Sequence, residues 1–207
     1  MRPHDLLWLR TAPSADGMPL PTWVETGWPV VVRRAQPAGS ELIPVGLRGR
    51  LRHQRHPAWV ARAQVLRTCS PEALARARSW TRMVSDGLPC IETLARLAPI
   101  VDAAGLRWGP TGSVGFALAS GESALHSASD LDLLVRAEIP LDDDEVDLLR
   151  QLKTHASCRL DIQIDTGRGG FALDEWLAGR RRVLLKTASG PRLVADPWQP
   201  ETEECSS

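Results

Sequence analysis

The chain has 207 residues, 43% hydrophobic and 24% charged, and its 25 Lys plus Arg balance its 25 Asp plus Glu. This composition suits a globular protein and excludes wholesale disorder, and the lack of a strongly basic total speaks against nucleic-acid binding. No run of about eighteen apolar residues is present, so no membrane span is expected.

The opening MRPHDLLWLR carries an acid and too short an apolar segment for a secretory signal. Cys69, Cys90, Cys158 and Cys205 lie far apart with no C-x-x-C pair, which argues against a zinc ribbon or disulfide framework and predicts a cytoplasmic protein. Charge is split along the chain. Through residue 75, ten Arg face five acids, a balance of +5; the remainder has fifteen bases and twenty acids, a balance of −5. The basic part suits an anionic substrate or an acidic partner, and the acidic part suits cations; the two parts would also attract each other.

The N-terminal third alternates short apolar runs with turn formers. Val30 to Val32 reads as a strand, Gly39 and Ser40 as a turn, and Ile43 to Leu47 as another strand, giving a small β-rich lobe. From Pro57, PAWVARAQVL has apolar residues at helical spacing, and SPEALARARSW follows with Ser70 as N-cap and Pro71 at the first helical position. PCIETLARLAPIVDAAG predicts a helix that stops at Gly105. A Gly-Ser turn then leads into a short helix, Val114 to Ala119, and the strand DLDLLVR. LDDDEVDLLRQLKTH is a helix whose first-turn acids complement its dipole. The strand RLDIQIDT, the helix FALDEWLAGR and short strands around RVLLKT and RLVAD complete the pattern, before a polar, frayed QPETEECSS. The expected fold class is α+β, with an N-terminal lobe at residues 1–75 and a second domain at 76–207.

The candidate chemistry centres on SDLDLLVR. Side chains alternate along a strand, so Asp130 and Asp132 share a face about 7 Å apart, while Leu131 and Leu133 take the other. Carboxylates this close repel unless a cation neutralises them, and magnesium accepts carboxylate, water and phosphate oxygens. Gly112 and Ser113 precede a helix start, where backbone N–H groups and a hydroxyl receive phosphate oxygens. In CRLDIQID, Asp161, Gln163 and Asp165 share one strand face; Asp161 would complete a three-carboxylate cage if its strand lies beside DLDLL, with Asp165 as the competitor. GLRGRLRHQRH carries Arg48, Arg50, Arg52 and Arg55; if extended, the first three line one face suited to phosphates or an acidic protein. Lys186, one of two lysines, could neutralise a leaving diphosphate. His4 reads as structural, and the eight tryptophans as packing residues.

A Gly-Ser turn, a short interval, Asp-x-Asp and a later strand acid resemble the nucleotidyltransferase superfamily related to DNA polymerase beta. PHDLLWL, PVGLRGRLRHQR, WGPTGSVGFALASG, SDLDLLVR, LDIQI, LLKT, GP and DPW, in that order from residue 3 to residue 198, further resemble malonate decarboxylase holo-acyl-carrier-protein synthase, the phosphoribosyl-dephospho-CoA transferase family. The resemblance implies a polymerase-beta-like nucleotidyltransferase domain behind a family-specific N-terminal lobe. The implied donor is 2′-(5″-triphosphoribosyl)-3′-dephospho-CoA, and the implied acceptor is a serine of the acyl-carrier-protein subunit of malonate decarboxylase, with diphosphate released. It also implies Asp130 and Asp132 as the catalytic pair, Gly112 and Ser113 as the phosphate turn and Asp161 as the third carboxylate; the expected cofactor is Mg2+, as two ions. Arg48, Arg50 and Lys186 join the expected substrate-binding set. The alternatives are the citrate lyase carrier protein, a small molecule or RNA as acceptor, or a catalytically silent docking module.

Overall fold

The computed structural model describes residues 1–13, 20–36, 39–51, 53–122, 125–179 and 181–199. The expected frayed tail lies almost wholly outside them, as does Arg52. Strands β1 (Leu6–Leu9), β2 (Val30–Val32), β3 (Leu42–Arg48), β4 (Arg55–Ala61) and β5 (Val65–Cys69) form an antiparallel sheet in the order β4-β3-β2-β1-β5. Period-two alternation along β3 buries Ile43, Val45 and Leu47 against Leu7, Val30, Val32, Ala58 and Val60.

The structure corrects the helix expected from Pro57. That segment is most of β4, a single 3-10 turn at Arg62–Gln64 and the start of β5. Ala58 and Val60 fit a two-residue period as well as a helical one, and β3 settles the choice by pairing with β4 in continuous register, from Leu42 opposite Ala61 to Arg48 opposite Arg55. Gln64 holds the turn, its Oε1 accepting from the Ala61 N–H at 2.9 Å.

The rest of the chain forms α1 (Pro71–Ala77), α2 (Pro89–Ala103), β6 (Arg107–Pro110), α3 (Gly112–Ser120), β7 (Leu131–Arg136), α4 (Asp143–Thr154), β8 (Leu160–Asp165), β9 (Gly169–Ala172), α5 (Leu173–Leu177), β10 (Val183–Thr187) and β11 (Gly190–Val194). Its six-stranded sheet runs β11-β10-β9-β8-β7-β6 and is antiparallel except at β7–β8, which α4 joins as a crossover helix. The caps follow the local chemistry. Ser70 Oγ accepts from the Ala73 N–H at 3.2 Å, Asp142 and Glu145 cap α4 reciprocally at 2.8 and 3.0 Å, and Gly105, at φ +72°, ends α2. FALDEWLAGR divides, Phe171 and Ala172 completing β9 before α5 begins.

One face of β7, with Leu131, Leu133 and Val135, packs against Ile91, Leu94, Leu97 and Val101 of α2. Asp132, Leu134 and Arg136 take the opposite face by alternation. The tryptophans are packing residues: Phe171, Trp176 and Trp198 form an aromatic cluster with centroids 5.3 to 6.0 Å apart, and Trp108 donates to Asp102 at 2.8 Å.

Two features join the sheets. Leu6 of β1, Leu74 of α1 and Phe116 of α3 form a buried cluster with Trp28 and Val31 packed on it. Beside it, Arg136 is buried among Asp165, Glu72 at 3.0 Å and Asp5 at 3.8 Å, and donates to the Pro3 carbonyl at 3.1 Å. Arg34 reaches the same Asp165 at 3.0 Å. Three outer strands carry a proline: Pro57 in β4, Pro110 in β6 and Pro191 in β11.

Candidate active site

The parallel pairing of β7 and β8 sets Asp132 directly opposite Asp161. Next to them, β6 ends at Pro110 and the chain turns into α3 through Thr111 and Gly112. The Thr111 N–H donates to the Asp132 carbonyl at 2.8 Å, and its hydroxyl contacts the same oxygen at 3.4 Å. Thr111 is the N-cap of α3, yet no side chain caps this helix. Its first N–H groups therefore offer a site for an anion, which the helix dipole favours.

Gly112 is required twice at this turn. Its φ of +58° lies in the left-handed region, and a Cβ there would sit 1.8 Å from Asp132 Oδ2. Backbone and carboxylate thus touch across the site. Gly112→Ala is expected to displace Asp132 and lower turnover about a hundredfold, the scale set by an ångström of misplacement. Steady-state kinetics on a variant of unchanged circular dichroism checks this; near-normal turnover would separate Gly112 from the chemistry.

Burial raises the Asp132 carboxyl above its ordinary pKa, and Asp161 and Asp130 add to the rise, while Arg48 and Arg55 offset part of it. Asp130 is half-buried one residue before β7 and, unlike Asp132 and Asp161, does not line the cavity between the sheets. Among the described residues, no three His, Cys, Asp or Glu side chains form a preassembled metal cage. The donor set nonetheless fits magnesium: it is all carboxylate oxygen, its charges repel, and Mg2+ ordinarily takes one or two carboxylates plus substrate phosphates and water.

Asp161 and Asp165 have distinct surroundings. Asp161 is partly exposed, with Arg159 Nη2 at 3.1 Å. Asp165 lies deep in the ion network, where burial would raise its pKa but Arg34, the Gly167 N–H and Arg136 hold it below the ordinary value. Asp165 is therefore already neutralised, and Asp161 is the acid beside Asp132.

A cavity of about 1140 Å³ opens between the two sheets, lined by Asp132, Asp161, Gly112, Arg48, Lys186 and residues of both lobes. Arg48 stacks on Phe116, 5.3 Å from the ring centroid. Burial and then Arg55 lower its pKa to about 10, with Asp132 opposing, so it stays cationic at neutral pH. Arg50 does not line this cavity. It lies 5.2 Å over the Trp28 ring and pairs with Glu25 at 3.8 Å and Glu122 at 3.7 Å. The segment turns after β3 ends at Arg48, so the expected row of alternating arginines is broken. Ser113 occupies the half-buried first turn of α3, and Lys186 is exposed on β10 opposite Gly170.

Sequence reasoning passed over Arg33, Arg34 and Arg159, all on the cavity wall. The Arg-Arg pair directly after a predicted strand was the available signal. His4, at φ +73°, also lines the cavity; burial lowers its pKa to about 4, and the neighbouring Arg34 and Arg136 act in the same direction.

Comparison with known proteins places these features in a family context. Two family models cover the chain: "Phosphoribosyl-dephospho-CoA transferase MdcG N-terminal domain" matches residues 2–71, and the corresponding C-terminal domain model matches residues 65–197. Similar proteins named phosphoribosyl-dephospho-CoA transferase include one from Pseudomonas putida strain W619, 45% identical over 201 residues and 95% of each chain. Another, from Azotobacter vinelandii, is 42% identical over 206 residues, covering 96% of this chain and 94% of the relative. One from Klebsiella pneumoniae is 41% identical over 204 residues and 97% of each. No solved structure matches.

Proposed function

The chain belongs to the phosphoribosyl-dephospho-CoA transferase family, and on that premise we propose that it moves the phosphoribosyl-dephospho-CoA group from 2′-(5″-triphosphoribosyl)-3′-dephospho-CoA to a serine of the apo acyl-carrier-protein subunit of malonate decarboxylase. The observation that carries this reading is the Asp132–Asp161 pair facing Gly112 and the uncapped start of α3, on the wall of a cavity large enough for a nucleotide. The parallel β7–β8 pair with its neighbouring Gly-Ser helix start supports a nucleotidyltransferase-like arrangement. The two sheets support a division into an N-terminal lobe and a catalytic domain, the first sheet ending at Cys69, whereas a boundary between residues 75 and 76 would fall inside α1. No helix among the described residues is long and apolar enough to cross a membrane. A cytoplasmic site of action is consistent with the scattered cysteines.

In this reading the triphosphate lies along the N-terminal turn of α3, its β and γ oxygens on backbone N–H groups and the Ser113 hydroxyl. The bare Gly112 lets the Asp132 carboxylate lie directly against the turn that receives the triphosphate. Arg48 and Arg55 supply fixed positive charge beside the phosphates. Serine oxygen attacks the α-phosphorus, the bond to the diphosphate breaks, and a phosphodiester forms. Asp161 or Asp132 accepts the serine proton. Asp130, Asp132 and Asp161 would hold Mg2+, which when bound neutralises phosphate charge and favours the alkoxide form of the attacking oxygen. The enzyme's share is alignment and charge compensation rather than covalent participation.

Mass spectrometry of the apo carrier protein after incubation with donor and Mg2+ tests the proposal. The expected result is a mass gain equal to one phosphoribosyl-dephospho-CoA unit with one diphosphate released, abolished by a chelator. An unmodified carrier would overturn it.

A further inference from the structure

Beyond Arg48 and Arg55, further cationic side chains line the cavity. The chain leaves β2 at Val32 and presents Arg33 and Arg34 to the cavity, which Lys186 of β10 also lines. The Arg33 side chain runs over Gly46, where a Cβ would lie 3.4 Å from Arg33 Cδ, and its Nε is buried with no hydrogen-bond partner. Arg34 Nε is buried and unpartnered as well. A buried guanidinium N–H without an acceptor is costly, and Asp165 at 3.0 Å answers only Arg34 Nη2, so the two cavity-lining arginines retain capacity for an anion. Gly170 lets these side chains pack closely over the strand: a Cβ there would lie 2.5 Å from Gln163 Nε2 and 2.8 Å from Arg34 Nη2. Gly170 pairs with Asp165 on one side and Lys186 on the other, which brings Arg34, Gln163 and Lys186 together at this end of the sheet.

Position sets Arg34 apart from the leaving diphosphate. Arg34 is held at Asp165, four residues along β8 from Asp161, or about 13 Å at the strand rise. The β and γ phosphates are bonded in series to the reacting phosphorus and stay within one phosphate chain of Asp132. The donor has a second anion at a suitable remove: the 5′-diphosphate joining its adenosine to pantetheine, separated from the triphosphate by two linked ribose rings. We propose that Arg33, Arg34 and Lys186 form a second anion subsite that grips this nucleotide diphosphate and so selects donors carrying the dephospho-CoA half. The inference rests on the transfer reading above. It makes the arginine pair of the N-terminal lobe a specificity determinant and assigns Lys186 to the far end of the donor rather than to the leaving group.

Dephospho-CoA, which has this diphosphate but no triphosphate, is the probe. Titration calorimetry on the full chain is expected to show dephospho-CoA binding that weakens at least tenfold in Arg33→Ala and again in Lys186→Ala, with binding of magnesium triphosphate unchanged in both. In steady-state kinetics the donor KM rises by a similar factor while kcat changes less than twofold, the pattern of lost uniform binding. Lys186 is exposed, so its variant tests the subsite even if Arg33→Ala folds poorly. Wild-type enzyme that modifies the carrier while both variants bind dephospho-CoA normally overturns the subsite alone. Arg33-dependent binding of dephospho-CoA by an enzyme that never modifies a carrier supports the subsite and overturns the transfer reading.

Discussion

Asp132→Asn is expected to lower transfer at least about a thousandfold while raising the melting temperature. The first effect follows from removing a fixed charge at the reacting phosphate, where preorganised electrostatics supply much of the barrier reduction. The second follows from the environment of Asp132. Burial, Asp161 and Asp130 raise its carboxyl pKa in the folded state. A raised folded pKa means that its stabilising contribution is present at low pH and lost as pH rises through the folded value. At neutral pH the ionised side chain opposes folding, and the isosteric amide relieves that opposition. Thermal melts at neutral pH, in chelator, should show the variant above wild type, and the difference should shrink as pH falls toward the carboxylate range. A variant that loses stability, or that retains near-normal transfer at saturating Mg2+, would remove Asp132 from the centre of the mechanism.

Arg136→Met is expected to be the most damaging substitution away from the site. Arg136 is the shared partner of Asp165, Glu72 and Asp5, and its removal leaves Glu72 and Asp5 without their guanidinium and Asp165 with Arg34 alone. Breaking a buried ion network by deleting one partner costs about 3–5 kcal/mol, even where replacing the whole network would cost little. The network spans β7, β8, α1 and the N-terminal segment, so the loss should appear as weakened contact between the two sheets as well as a lower denaturation midpoint. Its pH dependence has a defined sign. Asp165 and Glu72 are held below their ordinary pKa values, in each case against burial, so their stabilisation is present at neutral pH and lost as pH falls through the carboxylate range. Asp5, raised by burial, runs the other way and offsets part of this. Wild type should therefore lose stability on acidification, and Arg136→Met should lose less, having forfeited the pairing already. Urea denaturation at several pH values measures both; a parallel pH dependence would show that Arg136 does not organise the network.

The sequence made some of this molecule legible, for identifiable reasons. α4 was plain because LDDDEVDLLRQLKTH opens with acids that complement a helix dipole, and the structure adds the reciprocal cap of Asp142 and Glu145. Asp130 and Asp132 stood out because carboxylates in an apolar strand demand a reason. Helix and strand periods were confounded around Trp59, where pairing with β3 decided the outcome. The strand β6 is four residues, RWGP, too short for a period, and it forms by pairing with β7. No local pattern could choose between Asp161 and Asp165, which share a strand face and differ through Arg34 and Arg136, distant in sequence. The same limit hid Arg33 and Arg34, whose place on the cavity wall depends on how the first sheet meets the second.

The prolines on three outer strands have a bearing on how this protein lives at high concentration. Each removes an amide donor from a sheet border that would otherwise template a neighbour's chain. Among the outer strands of the described residues, β5 alone has no proline, and it is five residues long with Arg67 at its centre. Edge-to-edge growth into aggregates is thereby discouraged, and the molecule can expose a broad opening to a protein acceptor without inviting its own copies to zip alongside.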